Sequence, residues 1–178
     1  MSDTWRLATD LDHSFRMSKT TRHAIGNGNP VLRYWERLSG LPGGRYVFSK
    51  VVQFKAPYFR TVNAMVEELR PNYAKLRIKK RRAVENHIGT VHVIAICNLL
   101  EMAMGVVAEA SIPSHLRWIP KGMSVDYTAK AGSNISGIAE INPEDWKPGD
   151  LDVKVTALDE GGKVVVQGVI KLWISEKK

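Results

Sequence analysis

The sequence predicts an α+β fold in which a curved antiparallel sheet wraps around one long central helix. Three observations predict it. Asn86 to Glu109 (NHIGTVHVIAICNLLEMAMGVVAE) becomes apolar on nearly every side, the pattern of a helix buried by other elements. Strand patterns flank it on both sides, and the strands after it follow one another through short loops. Helix and strand patterns do not alternate, which excludes a parallel βαβ sheet.

In chain order, residues 1–27 read as an N-terminal extension, with Trp5, Leu7, Leu11 and Phe15 marking one face of a short amphipathic helix. Residues 28–178 form one domain, as the length of 178 suggests. Pro30 to Gly44 predicts a short helix, with Pro30 in its first turn and Val31, Trp35 and Leu38 as its stripe; Leu41-Pro42-Gly43-Gly44 ends it. Tyr46 to Phe59 mixes β-branched and aromatic residues and reads as strand up to Pro57. Val62–Leu69 and Tyr73–Lys80 are strands joined at Arg70-Pro71-Asn72; Ala74, Leu76 and Ile78 alternate with Lys75, Arg77 and Lys79.

The central helix is expected over about 89–110. Trp118 to Gly122 reads as a connection, and Met123–Ala131 and Ile135–Ile141 as strands parted by Gly132-Ser133-Asn134. Asp152–Leu158 and Lys163–Ile174 form a last hairpin around Gly161-Gly162.

Composition bounds the function. The formal net charge of +8 favours an acidic partner such as nucleic acid, anionic lipid or a phosphorylated small molecule. Against nucleic acid, no helix-turn-helix, zinc-finger or aromatic RNA-binding signature occurs. Cys97 is the only cysteine, so there is no intrachain disulfide, CxxC or metal-ligand cluster. No secretory signal pattern and no uninterrupted membrane-spanning run appear, which makes a cytoplasmic protein the expectation.

The chemistry points to one carboxylate. Glu101 lies inside the apolar run with Asn98 one turn before it, and such a carboxylate must be paired, used in chemistry, or set on a wet edge of the helix. Asn86-x-x-Gly89-x-x-His92, followed nine residues on by Glu101, resembles the hot-dog-fold thioesterases of the phenylacetate-pathway and 4-hydroxybenzoyl-CoA types. In those enzymes an N-x-x-G-x-x-H-G-G segment leads into the central helix, and an acidic residue nine positions after the histidine performs the chemistry. Met123–Ala131 and the hairpin Leu158-Asp159-Glu160-Gly161-Gly162-Lys163-Val164 resemble further parts of the family, so the likeness covers roughly residues 45–175. The sequence departs from the family at His92-Val93-Ile94, where the usual pattern is His-Gly-Gly.

The resemblance implies an acyl-CoA substrate and no cofactor beyond the coenzyme A it carries. Glu101 would act as general base or nucleophile. Asn86 and His92 would position the thioester or water, and backbone N–H groups near Gly89 or Val93 would polarise the carbonyl. Asn98 and Tyr127 would contact substrate, and Lys79, Lys80, Arg81 and Arg82 would meet the phosphates of coenzyme A.

It also implies a homodimer or homotetramer with sites at the dimer interface, where Gly105 and Ala108 would allow close approach. Two readings compete with hydrolysis: a hot-dog dehydratase or hydratase, and a module that binds acyl thioesters without turning them over.

Overall fold

The computed structural model describes residues 29–177, so the stripe at Trp5, Leu7, Leu11 and Phe15 lies outside the described residues. Two helices lead, α1 (Pro30–Ser39) and α2 (Gly44–Lys55), followed by a 3-10 segment at Pro57–Thr61. Strands β1 (Met65–Arg70) and β2 (Tyr73–Ile78) precede the central helix α3 (Val93–Ser111). Strands β3 (Leu116–Tyr127), β4 (Ile135–Glu140), β5 (Gly149–Leu158) and β6 (Val164–Glu176) follow it. They form one antiparallel sheet in the order β1-β2-β4-β5-β6-β3. The helix lies across β2 and β4, with β1 and β5 beside them. This is the hot-dog arrangement.

Period-two alternation builds the concave face. Ala74, Leu76 and Ile78 on β2, and Val153, Val155 and Ala157 on β5, are wholly buried against α3. At Gly137 on β4 the helix comes closest: a Cβ there would stand 2.7 Å from Leu99 Cγ, so only glycine admits that approach. By length and composition α3 could cross a membrane, but most of it is buried against the sheet.

Local chemistry fixes the ends of the elements. Asn29 caps α1 by accepting from the N–H groups of Val31 and Leu32, and its amide donates to the Glu109 carbonyl, tying α1 to the far end of α3. Asn72 takes φ 62° in the β1–β2 turn, a conformation asparagine tolerates. Its backbone N–H donates to Ser111 Oγ, and its side-chain oxygen accepts from Trp146 Nε1.

Three elements differ from the sequence expectation. Tyr46 to Phe59 is helical, not extended: Phe48, Ser49, Val52 and Gln53 turn inward at helical spacing. Burial of that one face outweighs the β propensity of Val47, Val51 and Val52. Trp118 to Gly122 is strand, not connection. β3 runs through it with a bulge between Pro120 and Gly122, and Pro120 is tolerated because, among the described residues, β3 is an edge strand paired only with β6. The same strand ends at Tyr127, before the expected Ala131. The central helix starts at Val93, because residues 86–90 form a closed turn and Glu85 bridges Val91.

Candidate functional site

The site is built where that turn feeds the helix. Asn86 Oδ1 accepts from the N–H groups of Ile88 and Thr90, its amide donates to Thr90 Oγ1, and its backbone N–H donates to the Thr90 carbonyl. All the polar groups of this side chain therefore go into shaping the turn. Gly89 supplies φ 74°, which a side chain would strain, and its N–H donates to the Asn86 carbonyl.

His92 is the N-cap of α3. Its Nδ1 accepts from the Ile94 N–H, so that nitrogen carries the lone pair and Nε2 carries the proton. The Ala95 and Ile96 N–H groups go to the His92 carbonyl. Among the described residues, the Val93 N–H has no acceptor. At a helix N-terminus it is a ready donor for a developing negative charge.

Beside this N-terminus lies an open pocket of about 370 Å³. His92, Ile94 and Asn98 form one wall, Tyr58 and Thr61 of the 3-10 segment another, and Glu85 stands between them. Asn98 is buried; its amide donates to Thr61 Oγ1 at 3.3 Å, and among the described residues its oxygen has no partner. Thr61 in turn donates its hydroxyl to the Tyr58 carbonyl. An unpaired buried amide oxygen is an acceptor held ready for a ligand.

Glu101 follows Asn98 by three residues but is not part of the pocket wall. It is half-buried, and among the described residues its carboxylate has no hydrogen bond or ion pair. The helix is not apolar all round. Val93, Cys97, Glu101 and Gly105 are partly exposed and Glu109 is exposed, so one wet stripe runs along it at four-residue spacing, with Ile94, 56% exposed, beside its start. Gly105 lies on this stripe under the ring of Trp118, whose Nε1 donates to Glu109. Ala108 is wholly buried, so the expectation that it opens the same face is corrected: it packs into the core.

The other expected contacts disperse. By the β3–β6 register, Tyr127 shares the helix-facing side of β3 with Met123 and Val125, and it is 61% exposed. Lys80 pairs with Glu85 at 3.0 Å, while Lys79 and Arg82 are exposed. Arg81 donates to the Thr61 carbonyl at 3.0 Å. Sequence reasoning missed Tyr58, Thr61 and Glu85. The only available signal was Pro57, which marks a break in the chain but not where that break packs. Among the described residues, no group of three His, Cys, Asp or Glu side chains could hold a metal ion.

The chain is similar to a structural-genomics target of known crystal structure, with 39% identity over 83% of this chain and 98% of that one and a TM-score of 0.72. It is similar at 22% identity to a Pseudomonas aeruginosa protein of unknown function described as a probable thioesterase, over 77% of this chain and 97% of that one, TM-score 0.66. A thioesterase family protein from Silicibacter pomeroyi matches at 18% identity over 72% and 96% of the two chains, TM-score 0.62. At such identities the last two speak for the hot-dog fold alone. No curated protein matches the chain. The family described as domain of unknown function DUF4442 matches residues 44–174, and the chain belongs to that family.

Proposed function

We propose that this protein is an acyl-CoA thioesterase that works as a cytoplasmic homodimer. The thioester carbonyl is polarised by the Val93 N–H of one subunit and attacked with the help of Glu101 of the partner subunit. The observation that supports it is the spacing of two groups on one helix that have no partner among the described residues. Eight residues separate Val93 from Glu101, roughly 12 Å along the axis, whereas groups acting on one carbonyl must lie within about 3–3.5 Å of the reacting atoms. They cannot serve the same carbonyl from the same chain. Two α3 helices packed antiparallel along their wet stripes, with a two-fold axis near Cys97, would set each Val93 beside the other chain's carboxylate.

In that arrangement Glu101 removes a proton from water while the water oxygen attacks the carbonyl carbon. The oxyanion is held by the Val93 N–H, and collapse breaks the C–S bond. Coenzyme A leaves as thiolate and takes up a proton, and the acyl group leaves as carboxylate. Direct attack by the carboxylate, followed by hydrolysis of the anhydride, uses the same residues. The Nε2–H of His92 and the free oxygen of Asn98 orient the thioester and the water.

The test measures release of coenzyme A from short, medium, long and aromatic acyl-CoAs. Glu101→Gln should abolish turnover. Val93→Pro deletes the single N–H at a helix position where proline is well tolerated, and should lower kcat by about 10²–10³ with the fold intact. Mixed dimers of the two variants should regain about a quarter of native activity, since half the dimers are mixed and each has one intact site. Full activity in Glu101→Gln would sink the proposal.

One observation favours a second reading, a module that binds acyl thioesters without hydrolysis. Ile94 lines the pocket where the thioesterase pattern has glycine, and its side chain takes up space that glycine would leave to a ligand. Binding of acyl-CoA with no release of coenzyme A would select that reading.

A further inference from the structure

We propose that a second pocket, between α2 and the segment before the central helix, is a nucleotide-phosphate site that holds the 3′-phosphorylated ADP end of coenzyme A. It is open, about 580 Å³, and is lined by Lys50, Gln53, Phe54, Arg60, Asn63 and Arg81. Three of those six residues are cations and none is a carboxylate. From Arg45 to Val66 the chain carries no acidic residue, so no nearby sequence neighbour neutralises them.

Two of the three cations are braced by neutral groups. Lys50 Nζ donates to Asn63 Oδ1 at 2.6 Å and to Gln53 Oε1 at 3.3 Å, and Arg81 donates to the Thr61 carbonyl at 3.0 Å. Among the described residues, none of Lys50, Arg60 and Arg81 forms an ion pair, whereas neighbouring Lys80 is matched to Glu85. Side chains oriented by neutral acceptors keep their full charge and spare donors for a ligand, as a site for multiply charged phosphate requires. Phe54, on the rim, is 77% exposed, a flat apolar face beside the cations that a purine can cover.

The position suits a ligand that reaches both pockets. The 3-10 segment gives Arg60 to this pocket and Tyr58 and Thr61 to the other. Arg81 belongs to the basic pocket, while Ala83 to Glu85 line the thioester pocket. Thr61 sits on the divide, holding Arg81 through its carbonyl and Asn98 through its hydroxyl. The naming of coenzyme A rests on the thioester reading above; the phosphate and purine chemistry rests on this pocket alone.

Calorimetry on the full chain tests it, with coenzyme A, adenosine 3′,5′-bisphosphate and pyrophosphate as probes. The bisphosphate should bind and compete with coenzyme A. Lys50→Gln with Arg60→Gln should weaken both by about tenfold or more. Phe54→Ala should weaken the nucleotides and spare pyrophosphate. Unchanged nucleotide affinity in the double variant overturns the proposal. So does pyrophosphate binding as tightly as the bisphosphate with no effect of Phe54, which would mark a general phosphate site.

The N-acetylcysteamine thioester of a substrate acyl group, which has no nucleotide, separates the two readings. If the native protein hydrolyses it but binds no bisphosphate, this inference fails and the thioesterase stands. Bisphosphate binding that depends on Lys50 and Arg60, with no thioester hydrolysed, supports the pocket and removes the enzyme.

Discussion

The two edges of the sheet end in opposite ways. At the β1 edge, helix α2 turns two buried polar side chains onto the strand. Ser49 Oγ accepts from the Val66 N–H at 2.8 Å, and Gln53 Nε2 donates to the Ala64 carbonyl at 2.6 Å. The residues stand four apart, one helical turn, so one helix face satisfies successive backbone groups and closes the edge. At the β3 edge nothing among the described residues does this. β3 is exposed along most of its length, with Ile119 and Tyr127 more than half exposed. An uncovered edge with apolar side chains is a template for another strand or another copy of the chain. The proposed pairing of two α3 helices fits that asymmetry, because a site shared between subunits would need an edge left open.

The largest effect should come from spoiling the open edge. Ile119→Lys with Met123→Lys puts one charge on each face of β3, at positions already exposed in the single chain. Sedimentation should show a monomer with native circular dichroism. Hydrolysis should drop about a hundredfold or more, since the Val93 N–H and the carboxylate would be separated. A fully active dimer would break the comparison and return the whole site to one chain.

The closed edge should respond in stability alone. Ser49→Ala leaves a buried N–H unpaired, and Gln53→Leu leaves a carbonyl unpaired; each should cost about 1–3 kcal/mol in denaturant unfolding. Neither should change the association state of the folded protein, and Ser49→Ala, which lines neither pocket, should keep native kcat. A Gln53→Leu protein that fell apart into monomers would mean that the two edges are coupled.

The sequence made the middle of the fold legible and hid both edges of the sheet. The alternation on β2, the turn at Asn72 and the apolar run of α3 are local patterns, and each is where the periodicity puts it. The closed edge was hidden because Tyr46 to Phe59 has the composition of a strand. What makes it a helix is burial of one face, on which Ser49 and Gln53 bond to backbone 11 to 17 residues away. The open edge was hidden because Pro120 and Gly122 look like a connection unless the strand is known to be terminal.

The site divides in the same way. A lone carboxylate in an apolar run singled out Glu101, and the family resemblance added His92. The use of Asn86 as a turn builder, and the contact of Thr61 with Asn98 across 37 residues, depend on tertiary packing that no local pattern encodes.

The smallest effect sharpens the position of the axis. Cys97 lies on the wet stripe midway between Val93 and Glu101, and burial raises its thiol above the ordinary value of 9.0. The folded state therefore holds this proton more tightly than the unfolded state. Its share of stability is whole below the unfolded value and is lost as pH rises through the folded one. Cys97→Ala should flatten the alkaline limb of thermal stability slightly. In the native protein the thiol should react slowly with alkylating reagents, and the double lysine variant of β3 should react faster, because separating the subunits uncovers the stripe. Equal rates in the two proteins would place Cys97 away from the interface. The antiparallel pairing of α3 would then need a different axis, one that no longer sets Glu101 of the partner subunit beside Val93.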